Sequence, residues 1–258
     1  AQAAGRRLRI HVKADTGMSR LGWLCNEGHR TEAADAIAAV CALPGLEAEG
    51  IYTHFANADG DEAYTMGQFT RFLELLSELE GRGITFPIRH CAASAAVLKY
   101  PCTHLDMVRP GVALYGHYPD PSCEGLDGVG LRPVMALKTR VASVKAVPAG
   151  TPVSYGCTHV LERDAELAAL TVGYADGLPR LCSDRLEVLI RGQRAPIVGR
   201  VCMDMCMADA TGLGAAPGDE VELFGEHLPV EDAAALAGTI QYELLCAVSP
   251  RVPREYLN

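Results

Sequence analysis

The sequence predicts an α/β domain of parallel strands and helices followed by a mostly β domain, and three observations support this prediction. Apolar strand patterns alternate with amphipathic helix patterns from residue 7 to about residue 116, an order typical of parallel βα units. Residues 118–130 form a polar stretch rich in proline and glycine, as domain boundaries often do. From residue 133, short segments rich in Val, Thr and Leu are separated by turns that contain Pro and Gly, which favours an all-β domain. We therefore expect two domains, at residues 1–120 and 131–258.

The first domain is predicted to contain strands and helices in alternation. Residues 7–13 alternate apolar and polar side chains, as strands do, and the segment AspThrGlyMetSerArg that follows is typical of a turn. Apolar residues at helical spacing predict helices, the longest of which ends at GlyArgGly. The predicted strands are residues 7–13, 46–55, 88–92 and 107–115, and the predicted helices are residues 27–42, residues 61–82 and one beginning at Ser94. In the second domain we expect one helix, at residues 230–236.

Composition and charge argue against several classes of protein. The net charge of -9 and pI near 5.4 argue against a nucleic-acid surface, because phosphate binding needs clustered Lys and Arg, and the 23 here are spread along the chain. We expect neither a membrane span nor a signal peptide, since no long apolar run occurs. Ten cysteines without a CxxC pair favour reduced thiols in the cytoplasm over disulfides or a metal site. The chain begins directly on a strand pattern, so we expect it to be part of a longer protein.

Chemically useful side chains follow each predicted strand of the first domain. In a βα barrel, functional groups lie at the carboxyl ends of the strands, and here those positions hold residues 13–20, His54, Ser94 and residues 109–112. Taken singly, His54 also fits a hydrogen-bonded core histidine, Ser94 a helix cap and Arg109 an ion-pair partner. Four such groups on four successive strand ends favour one shared active site.

Nine segments of the chain resemble one enzyme family. They are HVKADTGMSRLG, GIYTHFANAD, CAASAAVLKYP, MVRPGVALYG, VSYG, VGYADG, APIVGRVCMDM, TIQYELLC and RVPR, and together they extend over essentially the whole chain. In these segments the sequence resembles alanine racemase, a bacterial fold-type III pyridoxal-phosphate enzyme. The resemblance implies a (β/α)8 (TIM) barrel followed by a mostly β C-terminal domain, pyridoxal 5'-phosphate as cofactor, and a head-to-tail homodimer whose active sites mix residues of both subunits. It also implies interconversion of L- and D-alanine for peptidoglycan synthesis.

The resemblance implies roles in proton transfer for three residues. Tyr155, in the triplet SerTyrGly, matches the tyrosine that acts as acid or base on the substrate, and His54 and Arg109 match the hydrogen-bonded relay behind it. A phenol is a weak base at its free pKa of about 10, so it needs such support. Arg109 also matches the residue that faces the pyridine nitrogen of the cofactor. An arginine there keeps the nitrogen unprotonated and weakens the ring as an electron sink, which suits racemisation.

The same resemblance implies which residues hold the cofactor and the substrate. The cofactor is expected to contact His54 and Arg109, and its phosphate is expected to contact Ser94, the amides of Gly111 and Val112, and the hydroxyl of Tyr242. The substrate carboxylate is expected to contact Arg20 and the backbone of Met203. Lys13 matches a lysine that is carbamylated in many members of the family, and the approach to the site is expected to be lined by Tyr174, Arg180, Asp59 and Arg200.

The family's Schiff-base lysine has no match in this chain. In the family it lies in a KAxAYGHG segment after the first barrel strand, whereas the four lysines here, Lys13, Lys99, Lys138 and Lys145, lie in other contexts. We therefore expect the chain to contain the second half of the barrel and the C-terminal domain, and to be inactive alone.

Two other functions stay open at this point. One is a serine racemase of the vancomycin-resistance type, which the segments VRPG and GYADGLPR resemble, although Tyr242 fills space that a serine side chain would need. The other is a non-catalytic fragment or one partner of a split protein. An open half barrel exposes strand edges, so this function would require something to cover them.

Overall fold

A computed structural model describes residues 2–128 and 130–257 of the chain. The chain divides into two compact units, Ala1–Arg132 and Pro133–Asn258. Among the described residues, no helix is both long and apolar enough to cross a bilayer.

The first unit is built on a parallel four-stranded sheet with the strand order β2-β1-β3-β4. Its strands are β1 (Leu8–Asp15), β2 (Trp23–Leu24), β3 (Leu46–Tyr52) and β4 (Ile88–His90), and its helices are α1 (Arg30–Cys41), α2 (Glu62–Gly81) and α3 (Ser94–Lys99). Because the strands are parallel, their carboxyl ends lie at one edge of the sheet. The parallel βα organisation expected from the sequence is confirmed for these elements.

Helix α2 shows how the sequence sets one of these elements. The carboxylate of Asp61 caps its N-terminus by accepting a hydrogen bond from the Tyr64 N–H. Its buried stripe recurs at helical spacing and packs into the core of the unit through Phe69, Phe72, Leu75 and Leu79. Two members of the buried face are polar, Thr65 and Gln68.

The prediction of a strand at residues 107–115 is wrong. Arg109 forms an isolated bridge, and Val112–Tyr115 is a 3-10 helix. Pro110 has no N–H to contribute to a ladder. The hydroxyl of Ser94 accepts the N–H of Gly111, and this bond turns the chain away from the sheet.

The second unit is mostly β, as the sequence predicts. Six strands form an antiparallel sheet in the order β10-β9-β12-β5-β8-β11, and β6 and β7 form a separate two-stranded ladder. The strands are β5 (Leu137–Val147), β6 (Pro152–Val153), β7 (His159–Val160), β8 (Ala165–Leu170), β9 (Glu187–Ile190), β10 (Gln193–Pro196), β11 (Cys206–Asp209) and β12 (Glu220–Phe224).

Two helices, and not the single one expected, follow these strands. Helix α4 (Val230–Ala237) ends at Gly238, which takes the left-handed conformation that terminates helices. Helix α5 (Gln241–Ala247) begins after the extended residue Ile240 and buries Leu244 in the core of the unit. The prediction missed α5 because seven residues carry too little periodicity to identify a helix.

Candidate functional site

Four basic side chains of the first unit lie near one another. Lys13 is in β1 and Arg20 in the loop after it, His54 follows β3, and Arg109 lies beyond α3 in a bridge to Ala93. The pKa of His54 is lowered from 6.5 to about 4, first by burial and then by the positive charges of Arg109, Arg20 and Lys13. The pKa of Lys13 is also below its ordinary value, because of burial and then of Arg20. We call these four residues the basic cluster. An excess of positive charge at a strand-end edge favours an anionic ligand.

Arg109 is the most firmly held member of the basic cluster. Its Nη1 donates to His90 Nδ1 at 2.6 Å, and its Nη2 lies 3.1 Å from His54 Nδ1. The same Nη2 lies 3.0 Å from the carbonyl oxygen of Thr53 and 3.2 Å from that of Cys91. No hydrogen bond among the described residues uses its Nε, so this N–H is available to a ligand.

The hydrogen bonds of Arg109 determine where the protons of two histidines lie. An arginine only donates, so Nδ1 of both His54 and His90 must accept. The pKa of His90, like that of His54, is lowered to about 4, by burial first and then by Arg109, so both rings are neutral. Each ring therefore carries its proton on Nε2, and His54 presents an N–H donor.

A second histidine pair extends this network toward the surface. His90 Nε2 donates to His11 Nδ1 at 2.7 Å, and His11 Nε2 lies 3.5 Å from a carboxylate oxygen of Glu49. The sequence reasoning missed His90 and His11. A signal was present, because His11 stands two residues before Lys13 on β1, and alternate residues of a strand share a face.

The loop that carries Arg20 is shaped by one carboxylate. Asp15 Oδ1 accepts the N–H groups of Gly17, Met18 and Ser19, at 2.9–3.0 Å. Arg20 itself is exposed, and no described residue accepts a hydrogen bond from it. The loop is thus fixed at its base, and the guanidinium remains available for a ligand.

Ser94, Gly111 and Val112 are brought together as the sequence suggests. Ser94 Oγ accepts the N–H of Gly111 at 2.8 Å and that of Ala113 at 3.3 Å, which leaves its own hydrogen to donate. The hydroxyl hydrogen of Ser94 and the N–H of Val112, which no described residue accepts, fit an anion such as a phosphate. By contrast, Asp59 is bound through its carbonyl oxygen to Lys99 Nζ, and none of its described contacts joins it to the basic cluster.

In the second unit, three motif segments converge on one loop, residues 199–205. On one side, Ser154 Oγ donates to the carbonyl oxygen of Arg200 at 2.8 Å. Ser154 has a φ of 65°, a conformation that non-glycine residues adopt only where the surroundings enforce it. The next residue, Tyr155, is 73% exposed. The ring of a tyrosine is thus held out into solvent by a strained, well-anchored backbone.

On the other side of the same loop lies the Asp-Gly turn that carries Tyr174. The N–H of Tyr174 donates to the carbonyl oxygen of Cys202, and that of Ala175 to the carbonyl oxygen of Met203, both at 3.0 Å. Gly173 permits this approach, because a Cβ at that position would lie 2.3 Å from each of the two oxygens. The predicted residues Tyr155, Tyr174 and Met203 therefore belong to neighbouring backbone segments.

Arg251 joins two of these segments from outside. Its Nε donates to Asp176 in the Tyr174 turn, and its Nη2 to Asp204 beside Met203, both at 2.7 Å. The motif RVPR contains this arginine, but the sequence alone does not indicate its contacts. Three further predicted residues belong to this unit. Arg180 begins the 3-10 helix Arg180–Cys182, Arg200 lies in the loop of residues 199–205, and Tyr242 lies in the first turn of α5.

Two family models match the chain. The model described as "Alanine racemase, N-terminal domain" matches residues 1–119, and that described as "Alanine racemase, C-terminal domain" matches residues 134–256. An alanine racemase of Desulforamulus reducens is 50% identical over 261 aligned residues, which cover 100% of this chain and 69% of that protein. An alanine racemase of Methanococcus maripaludis is 46% identical, with 100% and 69% covered.

Solved structures give the same result. The alanine racemase of a D-cycloserine-producing Streptomyces lavendulae superposes with a TM-score of 0.91 at 39% identity, covering 100% of this chain and 68% of that one. The alanine racemase of Bacillus anthracis with bound L-Ala-P gives a TM-score of 0.90 at 35% identity, with 98% and 65% covered.

Proposed function

The chain belongs to the alanine racemase family, and from this premise we propose that it supplies the proton-transferring part of an enzyme that interconverts L- and D-alanine for peptidoglycan synthesis. The observation that carries the proposal is the neutral His54, which Arg109 holds with its Nε2–H as a donor inside the basic cluster. The relatives are alanine racemases, so serine as the preferred substrate is not favoured.

Pyridoxal phosphate, when bound, supplies the electron sink that makes the Cα–H bond of the amino acid acidic. The residues present fit this group. Ser94 and the amide of Val112 would hold the phosphate, together with the hydroxyl of Tyr242. The N–H of Gly111 would contribute by sharing its hydrogen bond between Ser94 Oγ and the phosphate. Arg109 would direct its unused Nε–H to the ring nitrogen, and an arginine cannot transfer that proton.

Tyr155 is proposed to move the proton at Cα. A tyrosine hydroxyl needs a hydrogen-bond partner to share negative charge as its proton leaves, and the Nε2–H of His54 is a donor of that kind. Burial, and then the charge of Arg109, keep His54 neutral, so the histidine stabilises a phenolate without delivering a proton to it. In the proposed head-to-tail homodimer, the exposed Tyr155 of one protomer serves the basic cluster of the other.

Arg20 and the backbone N–H of Met203 are proposed to receive the substrate carboxylate, a charge-assisted pairing that orients the Cα–H bond. Lys13 is proposed to be carbamylated. Its lowered pKa leaves more neutral amine to react with carbon dioxide, with loss of a proton, and the carbamate formed is an anion beside Arg20. The approach to this site is proposed to be lined by Tyr174, Arg180, Asp59 and Arg200.

The lysine that binds the cofactor is proposed to lie outside these 258 residues, with unit 1 as the second half of the barrel. Lys99 Nζ donates to the carbonyl oxygen of Asp59, and Lys138 pairs with Glu220. Lys145 is exposed on β5. Lys13 is thus the one lysine of the basic cluster, and the proposal gives it another role.

The test is racemisation of alanine in D2O by the cofactor-loaded full-length protein, which includes the proposed lysine-bearing segment, with Tyr155→Phe and Tyr256→Phe as a matched pair. We expect Tyr155→Phe to lower kcat by roughly 10²- to 10⁴-fold, the usual contribution of a positioned acid or base. Tyr256 is exposed near the carboxyl end of the chain, so its variant should keep full activity. A full-length wild-type protein that binds the cofactor and leaves alanine unchanged would refute the proposal.

A second experiment locates the lysine. The loaded protein is reduced with borohydride and digested, and the labelled peptide is sequenced by mass spectrometry. We expect no label on Lys13, Lys99, Lys138 or Lys145. A label on Lys13 would overturn the proposal that this residue is carbamylated and that another segment supplies the lysine.

A further inference from the structure

We infer that Gln68 is a positioning residue of this enzyme, which fixes the loop of Arg20 and the backbone of His54 relative to each other. The inference rests on the proposed function, because it gives Arg20 and His54 their roles. None of the sequence motifs includes Gln68, which lies in the middle of α2.

The amide of Gln68 contacts both strand-end segments at once. Its Nε2 lies 3.1 Å from Thr16 Oγ1, at the start of the Arg20 loop, and 3.3 Å from the carbonyl oxygen of His54. Its Oε1 accepts the N–H of Ala56 at 2.8 Å. One planar group therefore bonds to the segment after β1 and to the segment after β3.

The burial of Gln68 shows that these bonds are not incidental. The side chain is 0% exposed and lies on the face of α2 that is otherwise formed by Phe69, Phe72 and Leu75. A leucine or methionine would satisfy helix packing alone, whereas a buried amide without partners costs about 1–3 kcal/mol. The polar group is tolerated here because both loops provide its partners.

Neighbouring contacts make the connection rigid. Thr16 Oγ1 lies 2.7 Å from Thr53 Oγ1, so the ends of β1 and β3 are also joined directly. Tyr64 Oη donates to the carbonyl oxygen of Gly17, and Arg71 Nη1 to that of Thr16, both at 2.7 Å. Tyr64, Gln68 and Arg71 are spaced by four and three residues, so one face of α2 forms hydrogen bonds to the loop that carries Arg20.

This connection matters for catalysis because two groups must act on the same small molecule. Arg20 is proposed to bind its carboxylate, and His54 supports the tyrosine that removes its Cα proton. A displacement of about 1 Å between groups that bind and groups that react costs on the order of 10²-fold in rate. Gln68 is the residue whose side chain bonds to both segments.

The experiment compares Gln68→Met with Phe72→Leu in the cofactor-loaded full-length protein. Methionine keeps the length and burial of the side chain and removes all three hydrogen bonds. Phe72 is fully buried one turn further along α2 and forms none of them, so its variant lowers stability and leaves the three hydrogen bonds of Gln68 in place. Per bound cofactor, we expect Gln68→Met to lower kcat/KM for alanine roughly 10- to 100-fold, through both a higher KM and a lower kcat. Phe72→Leu should leave both constants within about twofold while lowering the unfolding temperature.

Hydrogen exchange of the same preparations gives a readout independent of activity. We expect Gln68→Met to accelerate amide exchange in both residues 15–22 and residues 53–57. We expect Phe72→Leu to leave the ratio of the exchange rates of these two segments unchanged. Unchanged kinetics and exchange in Gln68→Met would overturn the inference. If the wild-type protein fails to racemise alanine but Gln68→Met still loosens both segments, the proposed function falls and the coupling by Gln68 stands.

Discussion

Gly173 offers a direct test of the architecture of the second unit. Its backbone lies against the loop of residues 199–205, and an added Cβ would lie 2.3 Å from the carbonyl oxygens of Cys202 and Met203. These are backbone atoms, which cannot rotate away as a flexible side chain can. The change Gly173→Ala therefore forces the Tyr174 turn and the Met203 loop apart.

The size of the effect follows from the distances. An ordinary contact begins at 3.4 Å, so each oxygen must retreat by about 1.1 Å (3.4 minus 2.3). That displacement breaks the two N–H···O bonds from Tyr174 and Ala175, worth about 1 kcal/mol each, and overpacking adds about 1–3 kcal/mol. We expect a loss of about 3–5 kcal/mol in the free energy of unfolding of the unit. In the fraction of Gly173→Ala protein that remains folded, kcat/KM should fall on the order of 10²-fold, because the Met203 amide moves by about 1 Å.

Urea unfolding followed by far-UV circular dichroism measures the stability, and Gly81→Ala is the control. Gly81 is the last residue of α2, has no atom within 4 Å of an added Cβ, and has no left-handed backbone conformation to lose. Alanine favours a helix over glycine by about 0.5–1 kcal/mol, so this variant should be equally or more stable. If Gly173→Ala costs no more than Gly81→Ala, the close packing of the two loops is refuted.

The remaining predictions concern the ion pairs of Arg251 with Asp176 and Asp204, and the dependence of stability on pH. Arg251→Gln should keep the fold, because exposed ion pairs contribute about 0–1 kcal/mol to stability. The variant should nevertheless lower kcat/KM about tenfold, because the loop that carries Met203 loses an anchor. Unchanged kinetics would contradict this role of Arg251. His54 and His90 are neutral in the folded unit, with pKa values of about 4 against an ordinary 6.5, so the unfolded chain binds more protons between these values. Stability of the first unit should therefore fall as pH decreases from 6.5 toward 4, by about 1–2 kcal/mol per histidine between pH 7 and pH 5. Urea unfolding at both pH values measures this, and His90→Gln should remove about half of the difference; a pH-independent wild type would refute the neutral state of the rings.

The sequence predicted much of the fold because its periodicities are local. Helix α2 was identified from its apolar spacing, and its end from the segment GlyArgGly. His54 was found because it follows β3, and parallel strands deliver their carboxyl ends to one edge of the sheet. Arg109 was expected with a fourth strand, which residues 107–115 do not form. The roles assigned to Tyr155, Ser94 and Met203 came from ordered motif matches and stay predictions.

Errors arose where a distant side chain decides the local structure. The apolar pattern of residues 107–115 predicts a strand. In the structure the N–H of Gly111 donates to Ser94 Oγ and Pro110 has no N–H, so neither residue can donate to a strand ladder. Helix α5 is too short for its pattern to be recognised, and its place depends on burying Leu244.

By itself the sequence determined the order of elements, the change from βα units to a β domain, and the candidate groups, since each depends on residues near one another in the chain. Only the tertiary structure decided how these groups are held. The proton positions of His54 and His90 depend on Arg109, and the coupling of two loops depends on Gln68, a helix residue that looks from its position like one more core side chain. Such contacts join residues far apart in sequence, and distance and direction between donors and acceptors exist only once the chain is folded.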